Sequence, residues 1–143
     1  VLDVLAVVNG GRPALSGPLK NVFRALPRGY VRGASIVPSS VTDAPGPVSD
    51  VLDDVTVIAA SYDSDGERVD GQVDLHFDRA ARARQAARTV SLSLSLAPGQ
   101  IDDDQLRAVV RSTQVRRSGS VVTLTAHTDP ETLLSLIDRV LPL

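Results

Sequence analysis

His76 and His127 are the only imidazoles in the chain, and each stands two residues before an aspartate, Asp78 or Asp129, that leads into a helix-like stretch. Neutral imidazole nitrogens bind zinc, nickel and copper, and a carboxylate completes many such sites. The sharpest metal set is therefore His76, His127 and Asp74, with both rings projecting from one sheet face if their strands are neighbours. Neither histidine belongs to a known ligand spacing, and the second run offers only Thr123 and Thr125 beside its histidine. The plainer reading is a polar strand face turned to solvent.

Three other groupings invite chemistry. Asp63, Asp65 and Glu67 in YDSDGER partly imitate a calcium loop, but the glycine comes too early and the distal acid is missing, so a hairpin turn is the better account. Arg79, Arg82, Arg84 and Arg88, extended by Arg111, Arg116 and Arg117, suit phosphate. Aspartates elsewhere cancel that field, no glycine-rich phosphate loop accompanies it, and a solvated helix face accounts for the set. For catalysis, no serine sits in G-x-S-x-G or S-x-x-K, and neither H-E-x-x-H nor a phosphate-loop motif occurs. A triad of His127, Asp129 and a distant serine requires free choice among many serines. The expectation is a protein that is not an enzyme, with no cofactor.

The totals narrow the field further. With 143 residues, 43% of them hydrophobic and 22% charged, the chain has the size and composition of one ordinary globular domain. A net charge of -2 gives no general attraction to nucleic acid or anionic membrane. No cysteine is present, so disulfides and thiolate sites are absent. Arginine outnumbers lysine fourteen to one, Lys20 being the single lysine, and Glu67 and Glu131 are the only glutamates. Phe23, Tyr30, Tyr62 and Phe77 are the only aromatics, too few for a base-stacking platform. No apolar run is long enough to span a bilayer. The chain lacks methionine even at its first position, which points to a removed leader and an exported or cell-envelope protein.

The elements that would position these groups follow from periodicity. Residues 1–15 give an apolar strand, Val1 to Val8, closed by Asn9, Gly10, Gly11 and Pro13. If nothing in its own domain covers it, this strand is the self-association element. Its Val1, Leu2, Val4, Leu5, Val7 and Val8 would complete a neighbouring subunit's sheet.

Residues 16–50 hold a helix from Pro18 with Leu19, Val22, Phe23 and Leu26 on one face, then a strand from Tyr30 to Val37 in which Gly33 marks a bulge or close packing. A loop rich in Pro, Ser and Asp, residues 38–50, follows. Residues 51–97 form a strand from Val55 to Tyr62, a turn, and an alternating strand with Val69, Gly71, Val73, Leu75 and Phe77 inward and Asp70, Gln72, Asp74 and His76 outward. Asp78 then caps a helix with Ala80, Ala83, Ala87, Val90 and Leu94 inward. The run SLSLSL from Ser91 suits a strand by alternation and a helix by position.

Residues 98–143 repeat the pattern with a short acidic-started helix, a polar edge strand from Arg111 to Arg117, a strand from Val121 to His127, and a last helix. Asp129 and Pro130 start that helix, which buries Leu133, Leu134, Ile137, Val140 and Leu141.

Two strand-strand-helix units plus an N-terminal strand and helix make an α+β domain, an antiparallel sheet with helices packed on one face in a ferredoxin-like sandwich. The expected function is structural or protein-interacting, by self-association of a homo-oligomer or contact with another protein. The alternative is a small-ligand or divalent-metal module using the polar sheet face.

Overall fold

A computed structural model describes residues 18–27, 29, 31–37, 51 and 54–140. The expected strand Val1 to Val8 and the loop 38–50 lie outside the described residues. Among the described residues the elements are, in order, α1 (Pro18–Ala25), β1 (Val31–Ile36), β2 (Val55–Ser64), β3 (Val69–Phe77), α2 (Ala80–Leu96), a 3-10 turn (Ala97–Gly99), α3 (Asp104–Ser112), β4 (Gln114–Ser118), β5 (Val121–Thr128) and α4 (Pro130–Val140). The chain is α+β, with one five-stranded sheet in the order β1-β2-β3-β5-β4, antiparallel at every pairing.

Local chemistry explains where the elements start and stop. The β2–β3 turn closes through the Asp65 carboxylate, which accepts from the backbone N–H groups of Glu67 and Arg68 at 3.0 and 2.8 Å, while Gly66 takes a φ of 95°. Such a φ is cheap only without a Cβ, so the acidic loop is a turn. Asp103 accepts from the Leu106 N–H at 2.8 Å and caps α3; Asp129 does the same for α4 through Thr132 at 2.8 Å. Asp78 does not cap α2: the N-cap is Arg79, whose side chain makes no capping bond. The SLSLSL run continues α2, because its position after eleven helical residues outweighs a short alternation.

The core sits between one sheet face and α2. Val55, Leu75, Phe77 and Val122 close on Ala83 and Ala86 of α2, with Val51 beside them. Burying each large side chain contributes about 1.5–3 kcal/mol, and the small Ala83 and Ala86 let the helix backbone approach the sheet. A register shift between Val55 and Val57 against β3 puts Val55 opposite Phe77 on the core face, while Val57 pairs with His76 on the other.

Two local expectations are corrected. Gly33 marks no close packing, since a Cβ there would meet nothing within 4 Å; the tight approach is at Gly29, whose Cβ would lie 2.5 Å from the Tyr62 carbonyl oxygen. Leu134 of α4 is exposed, while Leu133 is partly covered.

The helices do not share a single environment. α2 packs over β3, β4 and β5, and α3 over β5. The short α1 instead contacts β1 and β2, and Phe23 lies with its ring centroid 4.7 Å from the Arg32 guanidinium carbon. Arg32 pairs with Ser61, so α1 belongs to the sheet face opposite α2.

Candidate functional site

Pairing across the sheet defines what the polar face offers. Residues directly opposite in antiparallel strands share a face, so Asp63, Asp70 and His127 form one row, and Ser61, Gln72, Thr125 and Gln114 the next. Ala59, Asp74, Thr123 and Arg116 form a third, and Val57, His76 and Val121 a fourth. The first two rows line a cleft of about 560 Å³, within the range that encloses small molecules.

Asp74 sits below that cleft and is only 8% exposed. Its carboxylate accepts from Gln72 Nε2 at 3.1 Å to each oxygen and from Thr123 Oγ1 at 2.7 Å. A buried carboxylate needs donors of this kind, and here they are neutral. The polar face is thus partly an internal network rather than a wholly solvated surface.

The metal set proposed from the sequence does not come together. His76 pairs with Val121 while His127 pairs with Asp70, so the two histidines share a face but stand six residues apart along adjacent strands. At about 3.3 Å per residue this is roughly 20 Å, far beyond a shared ion. The reason is topological: equivalent positions in two antiparallel strands fall at opposite ends. Only Asp74 and His76 remain near each other, and among the described residues no three His, Cys, Asp or Glu side chains could hold one ion.

Each histidine has its own surroundings. His76 Nε2 is buried with no hydrogen-bond partner, and its backbone carbonyl accepts from Thr56 Oγ1 at 3.1 Å. His127 is exposed, and its backbone is clasped by Ser112, whose hydroxyl donates to the His127 carbonyl at 2.8 Å and accepts from the His127 N–H at 3.0 Å. Ser112 is therefore engaged with backbone groups, although it lines the cleft with His127 and Asp70.

Charge at the rim is also partly committed. Arg68 pairs with Asp70 at 2.7 Å in an exposed ion pair, and the Arg68 and Glu67 backbone amides hold the Asp65 carboxyl below its usual range. On α2, Arg82 reaches Asp54 at 3.3 Å.

A second surface was not visible in the sequence. β1 ends the sheet with no strand on its outer side among the described residues, and Val31 and Ile36 are 61% and 63% exposed. The adjoining α2-side face is also open where Gly33, Ala60 and Val73 lie in one cross-strand row. The opposite edge, β4, is five residues long and carries Arg116 and Arg117, a short charged edge that discourages pairing. Exposure at β1 depends on what fails to cover it, which no local pattern encodes. No protein-family model, no curated protein and no solved structure matches this chain.

Proposed function

We propose that this chain is a non-enzymatic protein-interaction domain that self-associates by strand addition at β1. The observation that carries the reading is the β1 edge, which no strand among the described residues covers, with Val31 and Ile36 exposed and an open apolar face beside it. An extended segment laid there gains backbone hydrogen bonds along β1 and buries alternate side chains. Val1 to Val8 of a second copy is the donor, since Leu2, Val4 and Val8 alternate as such a strand requires.

The test is solution mass by light scattering over a range of concentrations. The intact chain is expected to assemble. A chain lacking residues 1–9, and separately Val31→Lys with Ile36→Lys, are expected to stay monomeric, because lysine on an edge blocks pairing at little cost to an exposed site. Assembly of either variant like the intact chain refutes strand addition.

The cleft supports a second reading, a small polar ligand held by Ser61, Gln72 and Thr125. It predicts a ligand-induced rise in melting temperature that Gln72→Ala abolishes.

A further inference from the structure

The described charges are distributed unevenly between the two ends of the sheet. Where β2 turns into β3 and β5 runs into α4, Asp63, Asp65, Glu67, Asp129 and Glu131 are exposed. Asp70 at that end is already paired with Arg68. At the other end β3 finishes at Phe77, and the first turns of α2 carry Arg84 and Arg88, with Arg117 of β4 beside them. Asp54 and Asp78 also lie at this end, Asp54 paired with Arg82, but no acidic residue occurs from residue 79 to residue 101. Along β3 the ends are roughly 26 Å apart, several times the screening length of about 8 Å at physiological salt. Within one molecule these charges do not satisfy each other.

Each charged patch adjoins exposed apolar surface. Arg84, Arg88, Leu92 and Leu96 recur every fourth residue and form one outward ridge of α2 about 18 Å long. Leu92 and Leu96 are both exposed. Beside the acidic end, on the same sheet face as α2, lies an apolar groove of about 550 Å³ lined by Val31, Tyr62, Val69, Val109, Leu133 and Leu134. Val31 and Leu134 stand exposed at its margins. A helix ridge that is basic and then apolar faces a groove that is apolar with an acidic end.

We infer that α2 of one copy docks in this groove of a second copy. Leu92 and Leu96 enter between β1 and α4, and Arg84 and Arg88 reach the Asp65, Glu67 and Glu131 carboxylates. This is helix-in-groove recognition with charge fixing its direction. The inference rests on the self-association reading and uses the groove beside the β1 edge, which shares Val31 with that edge. The residue 1–9 deletion and the charge variants, rather than Val31→Lys, therefore tell the two contacts apart. Because ridge and groove are different parts of one molecule, the contact is heterologous, and its repetition builds a ring or an open chain.

A charge-reversal pair tests it on the full chain. One variant carries Arg84→Glu and Arg88→Glu; the other carries Glu67→Arg and Glu131→Arg, leaving Asp65 in place because its carboxylate holds the turn. All four side chains are exposed, and circular dichroism with a melt establishes that each variant folds. Each alone is expected to associate roughly a hundredfold more weakly than the parent, since two attractive pairs become repulsive. Mixed one to one they are expected to recover the parent's mass, because every Glu-bearing ridge then meets an Arg-bearing groove, and every native ridge a native groove.

Either variant assembling alone like the parent, or no recovery on mixing, overturns the inference. Loss of assembly on removing residues 1–9, with both charge variants assembling normally, leaves strand addition standing and removes helix docking. The converse pattern does the reverse. A parent chain that stays monomeric at every concentration removes both.

Discussion

Val122 is the most informative single residue in the core. It is fully buried at 0% exposure, opposite Leu75 on β3 and Arg117 on β4, under the Ala83 side of α2. Val122→Ala deletes two carbons, which at about 0.8 kcal/mol each costs about 1.6 kcal/mol in transfer. The surrounding Leu75, Phe77 and Ala86 are held by strand pairing and helix packing, so a residual cavity adds about 1 kcal/mol. The sum, about 2.5 kcal/mol, lowers the melting temperature by about 8 °C for a chain of this length.

Val73 supplies the contrast. It lies on the same sheet face, two residues from Leu75, yet is 37% exposed because the described helices leave that row open. Val73→Ala is expected to cost less than about 1 kcal/mol. Paired thermal and urea melts, with unchanged urea slope, measure the difference. Equal costs at the two sites would mean that α2 does not cover β5 while leaving the Val73 row open, and the argument for an uncovered face would fail with it.

Two glycines of similar appearance in sequence should respond oppositely. Gly29→Ala drives a Cβ to 2.5 Å from the Tyr62 carbonyl oxygen and is expected to destabilise by about 1–3 kcal/mol. Gly33→Ala fills open space on a strand and is expected to be neutral or to stabilise by about 0.5 kcal/mol, both read by urea denaturation. Acid stability follows from Asp129 and Asp65, whose carboxyls are held below the ordinary value of 3.8 by the Thr132 amide in one case and the Arg68 and Glu67 amides in the other. A lowered folded-state value means that their stabilisation is present above the unfolded value and is lost as the pH falls through the folded values. Melting temperature should therefore decline as the pH falls below about 4, and Asp129→Asn, which keeps an oxygen acceptor but cannot titrate, should flatten part of that decline.

The polar cleft and the open edge differ in how they arise. The cleft is built from alternation: every second residue of β2, β3 and β5 shares one sheet face, of which two cross-strand rows line the cleft, and Asp74 in the next row is stabilised by Gln72 and Thr123 from the same and the neighbouring strand. The edge arises from topology, because β1 is last in the sheet order and its described helix, α1, lies on the opposite face from α2.

Elements governed by near neighbours along the chain were legible in the sequence. The alternation of β3, the Asp65 and Gly66 turn and the cap at Asp129 all arise from interactions within a few residues, whereas of the expected α2 stripe Ala83 is buried, Ala87, Val90 and Leu94 are partly covered, Ala80 is exposed, and Ala86, outside the stripe, is buried. Of the inward set Val69, Gly71, Val73, Leu75 and Phe77, the buried members are Val69, Leu75 and Phe77, while Val73 shares their face but is exposed, since a strand's side chains alternate whatever it pairs with. Only the tertiary structure decided which strand lies beside which, and in what register. That pairing sent His76 and His127 to opposite ends of one face, brought Thr123 to Asp74, and left Val31 and Leu134 exposed. Periodicity fixes the direction of a side chain relative to its own backbone. What it meets there depends on segments tens of residues away, and on whether a helix is long enough and close enough to cover it.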